Sequence, residues 1–250
     1  MDAVKNNMSE QELLLELKGI SFGFPEKETL YLQTGLSLRK GQNIGFWSPN
    51  GSGKTTLFKI ITGLIQPQEG EIFLKGQPIS SESDFRELRS KVGFVLQHSD
   101  DQLFFPEVID DVSFGPLNLG FSEEEALSAS MNALERLGIS SLAHSLSFEL
   151  SGGQKKLVTL AAVLSMNPEI LLLDEPSNGL DEKSRHLLIS QINSLDCAKI
   201  IISHEPELLI ETCDSFITIQ DKKIVPVPAP TIHEHRHAHF FGGTAHTHGS

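Results

Sequence analysis

The stretch Ser48-Pro49-Asn50-Gly51-Ser52-Gly53-Lys54-Thr55 decides how the rest of the chain is interpreted. It matches the phosphate-binding pattern G-x-x-x-x-G-K-[ST] except at the first position, where Ser48 replaces glycine. Gly51 and Gly53 allow the backbone to fold around a phosphate with its N–H groups pointing inward. Lys54 is suited to neutralising the β- and γ-phosphates, and the Thr55 hydroxyl is suited to binding Mg²⁺. The stretch therefore predicts a nucleotide phosphate site.

The segments on either side of this loop support the same interpretation. The sequence predicts a short buried strand over Asn43–Trp47, before the loop. After the loop, a helix is predicted by four apolar residues at helical spacing: Leu57, Ile60, Ile61 and Leu64. Pro49 fixes the φ angle directly after Ser48, so we expect the serine to be tolerated. The residues expected to contact the nucleotide here are Ser48, Pro49, Asn50, Gly51, Ser52, Gly53, Lys54, Thr55 and Thr56.

A second chemical signal is the run Ile170-Leu171-Leu172-Leu173-Asp174-Glu175, four apolar residues that end in two carboxylates. A buried parallel strand would bring both carboxylates to its carboxyl end, where ligands bind in α/β sheets. We expect Asp174 to hold Mg²⁺ through water and Glu175 to orient or deprotonate the attacking water. The alternative is a buried strand that ends in a solvated acidic turn.

Strand and helix patterns alternate along most of the chain, which predicts an α/β fold. A capping-box pattern at Ser122 predicts a helix through Leu137, and a second one at Ser151 predicts a helix through about Met166. Residues from about 98 to 165 are therefore predicted to be a helical subdomain. Further strands are predicted over Leu13–Phe24, Thr29–Leu38, Glu71–Lys75, Val92–Leu96, Lys199–Ser203 and Phe216–Ile219, and further helices over Glu182–Ile192 and Glu207–Thr212.

The composition excludes several classes of function. The chain has 250 residues with 33 acidic and 20 basic side chains, a net charge of -13, which disfavours a general nucleic-acid binder. The two cysteines show no CxxC spacing and fit a reducing compartment. No apolar run approaches 18 residues, and the N-terminus has no apolar signal segment, so we expect neither a membrane span nor secretion.

Leu150-Ser151-Gly152-Gly153-Gln154 provides the third motif, and Gln154 precedes Asp174 by 20 residues. The pentapeptide LSGGQ resembles the signature of ABC-transporter ATPases, and the three motifs stand in that family's order and spacing. The likeness covers residues 13–226. It implies a P-loop NTPase fold of the ABC ATPase type, with a mixed or parallel sheet core, an antiparallel β subdomain and a helical signature subdomain, as well as ATP and Mg²⁺ as cofactors.

The resemblance also implies roles for residues outside the three motifs. Gln97 resembles the glutamine that senses Mg²⁺ and the attacking water, and His204 resembles the switch histidine that contacts the γ-phosphate. Phe24 resembles the aromatic residue that stacks on adenine, with plain packing as the alternative. Leu157, Glu182 and Glu205 depart from residues frequent in the family, although none of them is expected to carry the chemistry.

In the resembled family the nucleotide is closed over by the signature of a second subunit. One chain with one phosphate loop and one signature cannot complete such a site, so a dimer is implied. We expect a homodimer, with a heterodimer as the alternative. The residues expected to act across the dimer are Ser151, Gly152, Gly153, Gln154 and Asp181.

Two segments, Gln97–Phe104 and Asp110–Gly120, resemble those of energy-coupling-factor importers, especially the cobalt and nickel ATPases. Phe104 and Phe105 are expected to line a groove for a membrane subunit, with local packing as the alternative. This resemblance implies an ATPase at the cytoplasmic face of the cell membrane, bound to integral membrane subunits. A vitamin importer or a soluble ABC ATPase is the alternative, and an inert metal-storage protein is a weaker one.

The composition changes at Pro226: residues 225–230 (VPVPAP) are predicted to be a stiff linker that ends the last strand, and the proline linker and histidine-rich tail are assigned to residues 227–250. Neutral imidazoles suit Ni²⁺, Co²⁺, Zn²⁺ and Cu²⁺. The tail therefore favours a transition-metal ion as cargo, with a solubilising tail as the alternative. The candidate tail ligands are His233, His235, His237, His239, His246 and His248.

Overall fold

Two β-sheets organise the part of the chain that this computed structural model describes, residues 11–26 and 28–230. The strands are β1 Leu13–Gly23, β2 Thr29–Arg39, β3 Asn43–Phe46, β4 Glu69–Leu74, β5 Gln77–Ile79, β6 Val92–Val95, β7 Ile170–Asp174, β8 Ala198–Ile202, β9 Ser215–Gln220 and β10 Lys223–Val227. The helices are α1 Lys54–Ile61, α2 Glu82–Lys91, α3 Val108–Asn118, α4 Glu123–Arg136, α5 Gly152–Leu164, α6 Glu182–Asn193 and α7 Pro206–Thr212. Short 3₁₀ turns lie at Ser99–Asp101, Ser140–Leu142 and Ser147–Glu149.

The larger sheet has six strands in the order β10-β9-β3-β8-β7-β6. All neighbouring strands from β9 to β6 pair in parallel, and only β10 pairs antiparallel, with β9. Every residue of β7 and β8 is buried, as expected for central strands covered on both faces. The carboxyl ends of β3, β7 and β8 lie side by side, so the residues that follow these strands meet at one edge.

Each face of this sheet has its own hydrophobic core. Ile170 and Leu172 of β7 pack in one core with β3, α1 and the smaller sheet. Leu171 and Leu173, which point to the opposite face, pack with the helices α3 to α7. This period-2 division places the smaller sheet and the helical segment on opposite sides of the parallel strands. The predicted α/β class, with its mixed sheet, is confirmed.

The smaller sheet is antiparallel, with four strands in the order β2-β1-β4-β5. It is hydrogen-bonded to the end of the larger sheet, because Leu32 N donates to Lys222 O at 3.0 Å and Ile224 N donates to Thr34 Oγ1 at 2.7 Å. These bonds hold the loop after β1 next to the phosphate loop after β3.

Helices α3, α4 and α5 lie between β6 and β7 along the chain. Both predicted capping boxes are confirmed: Ser122 with Glu125 begins α4, and Ser151 with Gln154 begins α5. Helices α2 and α3 were not among the elements predicted from the sequence. Pro116 inside α3 obscured the helical pattern, since proline normally ends a helix.

Most predicted boundaries lie within two residues of the observed ones, and the ends of α1, α5 and β10 are among those that differ. Helix α1 ends at Ile61, so Leu64 lies beyond it and its side chain is 62% exposed, because Gly63 takes a positive φ of 71° and ends the helix. Helix α5 ends at Leu164 rather than near Met166. Val225–Val227 belongs to β10 rather than to a linker, since an edge strand tolerates the missing N–H of Pro226. None of the helices in the described part of the chain is long and apolar enough to cross a bilayer.

Candidate nucleotide-binding and active site

The phosphate loop connects β3 to α1 and takes the shape that its glycines predict. Gly51 and Gly53 have φ angles of +78° and +105°, a region that side chains with a Cβ rarely adopt. Ser48 does not have a positive φ, so serine at the first position causes no backbone strain. No side chain caps the start of α1, which leaves its first N–H groups for an anion.

Lys54 is the cation of this loop, and its side chain is only 7% exposed. Its ammonium donates hydrogen bonds to Ser48 O at 2.6 Å and to Pro49 O at 3.1 Å. Its Nζ also lies 3.2 Å from His204 Nε2, which brings a residue after β8 next to the loop after β3. Burial lowers the pKa of Lys54, while the charge of Glu175 opposes this effect.

Thr55 and Asp174 join the phosphate loop to the end of β7. Thr55 Oγ1 donates to Asp174 Oδ2 at 2.6 Å. Burial raises the pKa of Asp174, although the Thr55 hydrogen bond and the Lys54 charge oppose it. A hydroxyl and a carboxylate oxygen at this separation are the kind of hard ligands that Mg²⁺ prefers. The described residues contain no group of three or more His, Cys, Asp or Glu side chains able to hold a metal.

Glu175 is held in an unusual backbone conformation directly beside these groups. Its φ is +47°, and strain of this kind costs on the order of 1–3 kcal/mol, so it persists only where the surroundings enforce it. Its N–H donates to Ile202 O at 2.9 Å, while its Oε2 accepts from His204 N at 3.2 Å. The side chain of Glu175 also faces the His204 ring, with Oε1 3.2 Å from Nε2. Burial raises the pKa of Glu175, with His204 and Lys54 acting in the opposite direction.

These residues line one cleft of about 580 Å³. Gln97 lies in it after β6, and Phe24 lies at the other side after β1. Phe24 is 38% exposed, and its ring meets that of Phe22 edge-to-face at a centroid distance of 5.0 Å. Phe24, Gln97, Asp174, Glu175 and His204 therefore line the same cleft as six of the predicted phosphate-loop residues: Asn50, Gly51, Gly53, Lys54, Thr55 and Thr56. The other three predicted residues, Ser48, Pro49 and Ser52, do not line it.

The signature residues lie elsewhere on the surface. Ser151, Gly153 and Gln154 line a separate cleft of about 290 Å³ beside α6, outside the cleft that holds Lys54. Ser151 Oγ accepts from Gln154 N at 3.3 Å, which caps α5. Asp181 caps α6 by accepting from Ser184 N at 2.8 Å, and this hydrogen bond lowers the pKa of Asp181. Within one chain the signature and the phosphate loop therefore do not form a common site. The candidate tail ligands from His233 to His248 lie outside the described residues.

Two residues at the site were missed by the sequence-based analysis. Tyr31 is fully buried, and its hydroxyl donates to Gly53 O at 2.8 Å. This hydrogen bond holds the backbone of the phosphate loop. Lys156 is 6% exposed, and its ammonium donates to the Gln97 carbonyl. Burial lowers the pKa of Lys156, against the charges of Asp174 and Glu175. A tyrosine within a strand pattern does not indicate which residue its hydroxyl contacts. A lysine on the apolar side of α5 departs from the helical pattern, and this departure could have identified Lys156.

Residues 31–178 of the chain match the ABC transporter family. The chain belongs to this family. As an ABC transporter ATPase it binds and hydrolyses ATP, and the resemblance inferred from the three motifs is confirmed.

Individual relatives agree with this assignment. An ABC transporter ATP-binding protein of Nitratidesulfovibrio vulgaris is 43% identical over 95% of this chain and 87% of its own length. The energy-coupling factor transporter ATP-binding protein EcfA of Methanosphaera stadtmanae is 38% identical over 85% of this chain and 78% of its own length. Among solved structures, cbiO1 of Clostridium perfringens, described as part of the ABC transporter complex cbiONQ, is 31% identical with a TM-score of 0.76 and covers 86% of this ABC ATPase and 88% of its own chain.

Proposed function

We propose that this ABC ATPase powers an energy-coupling-factor type importer for a transition-metal ion, nickel or cobalt, from the cytoplasmic face of the membrane. The observation that carries the proposal is the cleft in which Lys54, Asp174, Glu175 and His204 meet, while the signature serine lies outside it. The names of two relatives, EcfA and the cbiO1 subunit of cbiONQ, support the transporter type.

Each residue of the cleft has a role that fits its position. Lys54 and the N–H groups at the start of α1 bind the β- and γ-phosphates. Glu175, buried beside the accessible phosphate position, accepts a proton from the attacking water. His204 keeps this carboxylate oriented through its backbone N–H and contacts the γ-phosphate with its ring. Phe24 supplies an aromatic face for adenine.

Magnesium fits the oxygen atoms of Thr55 and Asp174, with the Gln97 side chain in the same cleft. A magnesium ion held by these oxygen atoms would neutralise charge that develops during phosphoryl transfer. The chain's own contribution is to hold the hydroxyl and the carboxylate next to the phosphate loop.

A second copy of the chain completes the site. We propose that Ser151, Gly152 and Gly153 of one copy contact the nucleotide held by Lys54 of the other. The start of α5 offers N–H groups and the positive end of a helix dipole to an anion. Binding of ATP then closes the dimer, and hydrolysis opens it again. This closing and opening of the dimer drives the conformational change of the membrane subunits.

The membrane subunit docks on an exposed aromatic face around the start of α3. Phe104 is 71% exposed, and Phe105 and Phe114 are 38% and 47% exposed with their rings 5.5 Å apart. Exposed aromatic residues in one patch are typical of a protein interface. The loop is held in shape by buried Asp111, whose Oδ1 accepts from the N–H groups of Phe104 and Phe105 at 2.7 and 3.0 Å.

Replacing Phe104 by Ser should abolish capture of the ATPase by its membrane subunits. The matched control is Leu64→Ser, which removes another exposed apolar side chain, 62% exposed, in the segment that follows α1. Capture is measured by affinity purification of the ATPase from membranes that contain its membrane subunits. Equal capture of the two variants would show that the aromatic face does not bind the membrane partner.

The cargo is inferred from the histidine-rich tail, because alternating imidazoles bind late first-row divalent ions. Deleting residues 231–250 is expected to remove most Ni²⁺ binding, measured by equilibrium dialysis, and to leave ATP turnover unchanged. Nickel binding that is unaffected by the deletion would contradict a metal-binding tail. Uptake of radioactive nickel or cobalt that does not depend on this chain, with vitamin uptake that does, would replace the metal by a vitamin as cargo.

A further inference from the structure

Lys156 is a buried cation whose role the nucleotide site alone does not explain. It lies in α5, and its side chain is 6% exposed. Its ammonium donates to the backbone carbonyl of Gln97, which is its only hydrogen bond among residues 11–26 and 28–230. The side chain therefore links the helix that carries the signature to the segment that carries Gln97.

The preceding residue provides a direct comparison within the same helix. Lys155 Nζ lies 2.6 Å from Asp100 Oδ1, and the Asp100 side chain is 79% exposed. Lys155 thus forms an ordinary surface ion pair, which contributes little to stability. Lys156 instead turns inward without a carboxylate within salt-bridge distance in the described part of the chain. The two lysines differ in burial and partner although they are adjacent in sequence.

Burial of an ammonium with a single carbonyl partner is unfavourable for stability. Taking a charge out of water costs free energy that one neutral acceptor recovers only in part, and apolar side chains of similar size often stabilise such positions. Leu157 and Val158, which follow Lys156, are buried apolar residues of this kind. A lysine at this position therefore indicates a role in the site rather than in packing.

The Gln97 segment is held from two directions. On the strand side, Gln102 accepts from Leu96 N at 2.7 Å and donates to Phe94 O at 3.0 Å. On the helix side, Lys156 binds the Gln97 carbonyl. The carboxylates of Asp174 and Glu175 are the negative charges that act on Lys156. The ammonium thus joins α5 to the segment after β6, and Gln97 of that segment lines the cleft that holds Asp174 and Glu175.

We propose that Lys156 is a positioning residue that fixes the Gln97 backbone against α5, at the cleft that Gln97 shares with Asp174 and Glu175. This inference rests on the roles proposed above for Gln97 and Glu175. Through this link, a displacement of the signature helix on dimer closure moves the Gln97 side chain into its working position. Lys156 acts on the hydrolysis step through Gln97 and does not itself bind nucleotide.

The test compares Lys156→Met with Lys155→Met in the full chain. Methionine keeps the length of the side chain and removes its charge and hydrogen bond. We expect Lys156→Met to lower kcat about tenfold or more while the Kd for ATP changes less than about twofold, because only the later step uses Gln97. Its Tm should equal or exceed that of wild type, since a buried charge has been removed. Lys155→Met should keep kcat and Kd close to wild type.

A third variant distinguishes the effect of the hydrogen bond from the effect of filling the same space with a side chain. Lys156→Gln retains a donor for the Gln97 carbonyl, so its kcat should lie between those of wild type and Lys156→Met. A wild-type kcat in Lys156→Met would overturn the inference. So would a lower Tm with a parallel loss of ATP affinity, which is the result of a structural role. The proposed roles of the cleft residues are judged separately, because Glu175→Gln should lose ATP hydrolysis whatever the result for Lys156.

Discussion

Replacement of Glu175 by Gln is expected to lower kcat for ATP hydrolysis by at least about 100-fold, the usual contribution of a positioned general base. The amide keeps the shape of the side chain and still accepts a hydrogen bond from His204 N, but it cannot take a proton from water. ATP binding should persist, because the contacts of Lys54 and the helix start are unchanged. The variant should therefore accumulate as an ATP-bound dimer, which light scattering detects directly.

The matched control for this variant is Glu169→Gln, at the opposite end of β7. Glu169 forms ion pairs with Lys75 at 2.6 Å and with Lys91 at 3.4 Å, far from the phosphate loop. The Glu169→Gln variant should keep kcat within about threefold of wild type, because surface ion pairs contribute little to the stability of the fold. Wild-type turnover by Glu175→Gln would show that another group activates the water.

The second large effect is expected from Gly152→Asp in the signature. A Cβ at Gly152 meets no atom within 4 Å, and its φ is not positive, so the chain accommodates a side chain there. An aspartate in the first turn of a helix also favours the helix dipole, so the folded monomer should be at least as stable as wild type. ATP hydrolysis should nevertheless fall by at least about 100-fold, because the aspartate places a negative charge at the start of α5, where the N–H groups face the phosphate across the dimer.

The Gly152→Ala variant tests whether this effect comes from charge. It adds a methyl group without charge, so we expect a much smaller loss of activity than in Gly152→Asp. ATP affinity of the isolated Gly152→Asp chain should match wild type, since its own phosphate loop is intact. A loss of nucleotide binding by this monomer would place the signature in the same site as Lys54 of its own chain.

The residues at the centre of the site could be predicted because each of them belongs to a local sequence pattern. A glycine-rich loop between a buried strand and a helix has few alternatives, and four apolar residues before Asp174 and Glu175 predict a central strand. Ser48 does not take a positive φ, so serine is accommodated at the first position of the loop without backbone strain, as expected. Family resemblance then led to Gln97 and His204, which no local pattern would have selected alone.

The features that were missed depend on contacts between distant segments. The Tyr31 hydroxyl reaches Gly53 across 22 positions, and Lys156 reaches Gln97 across 59. Element boundaries failed where tertiary packing outweighed propensity, as at Pro226, which an edge strand accepts. The separation of Ser151 from Lys54 also became visible only in three dimensions.

The central claim is that Lys54 of one copy and the signature of another share a nucleotide, and mixing two inactive variants tests it most directly. Lys54→Ala removes the phosphate cation and Gly152→Asp spoils the signature, so each variant alone should be nearly inactive. In a mixed dimer one site carries both defects and the other carries none. An equimolar mixture should therefore recover about a quarter of wild-type ATP turnover if chains pair at random. Turnover no higher than the average of the two separate variants would contradict the shared site.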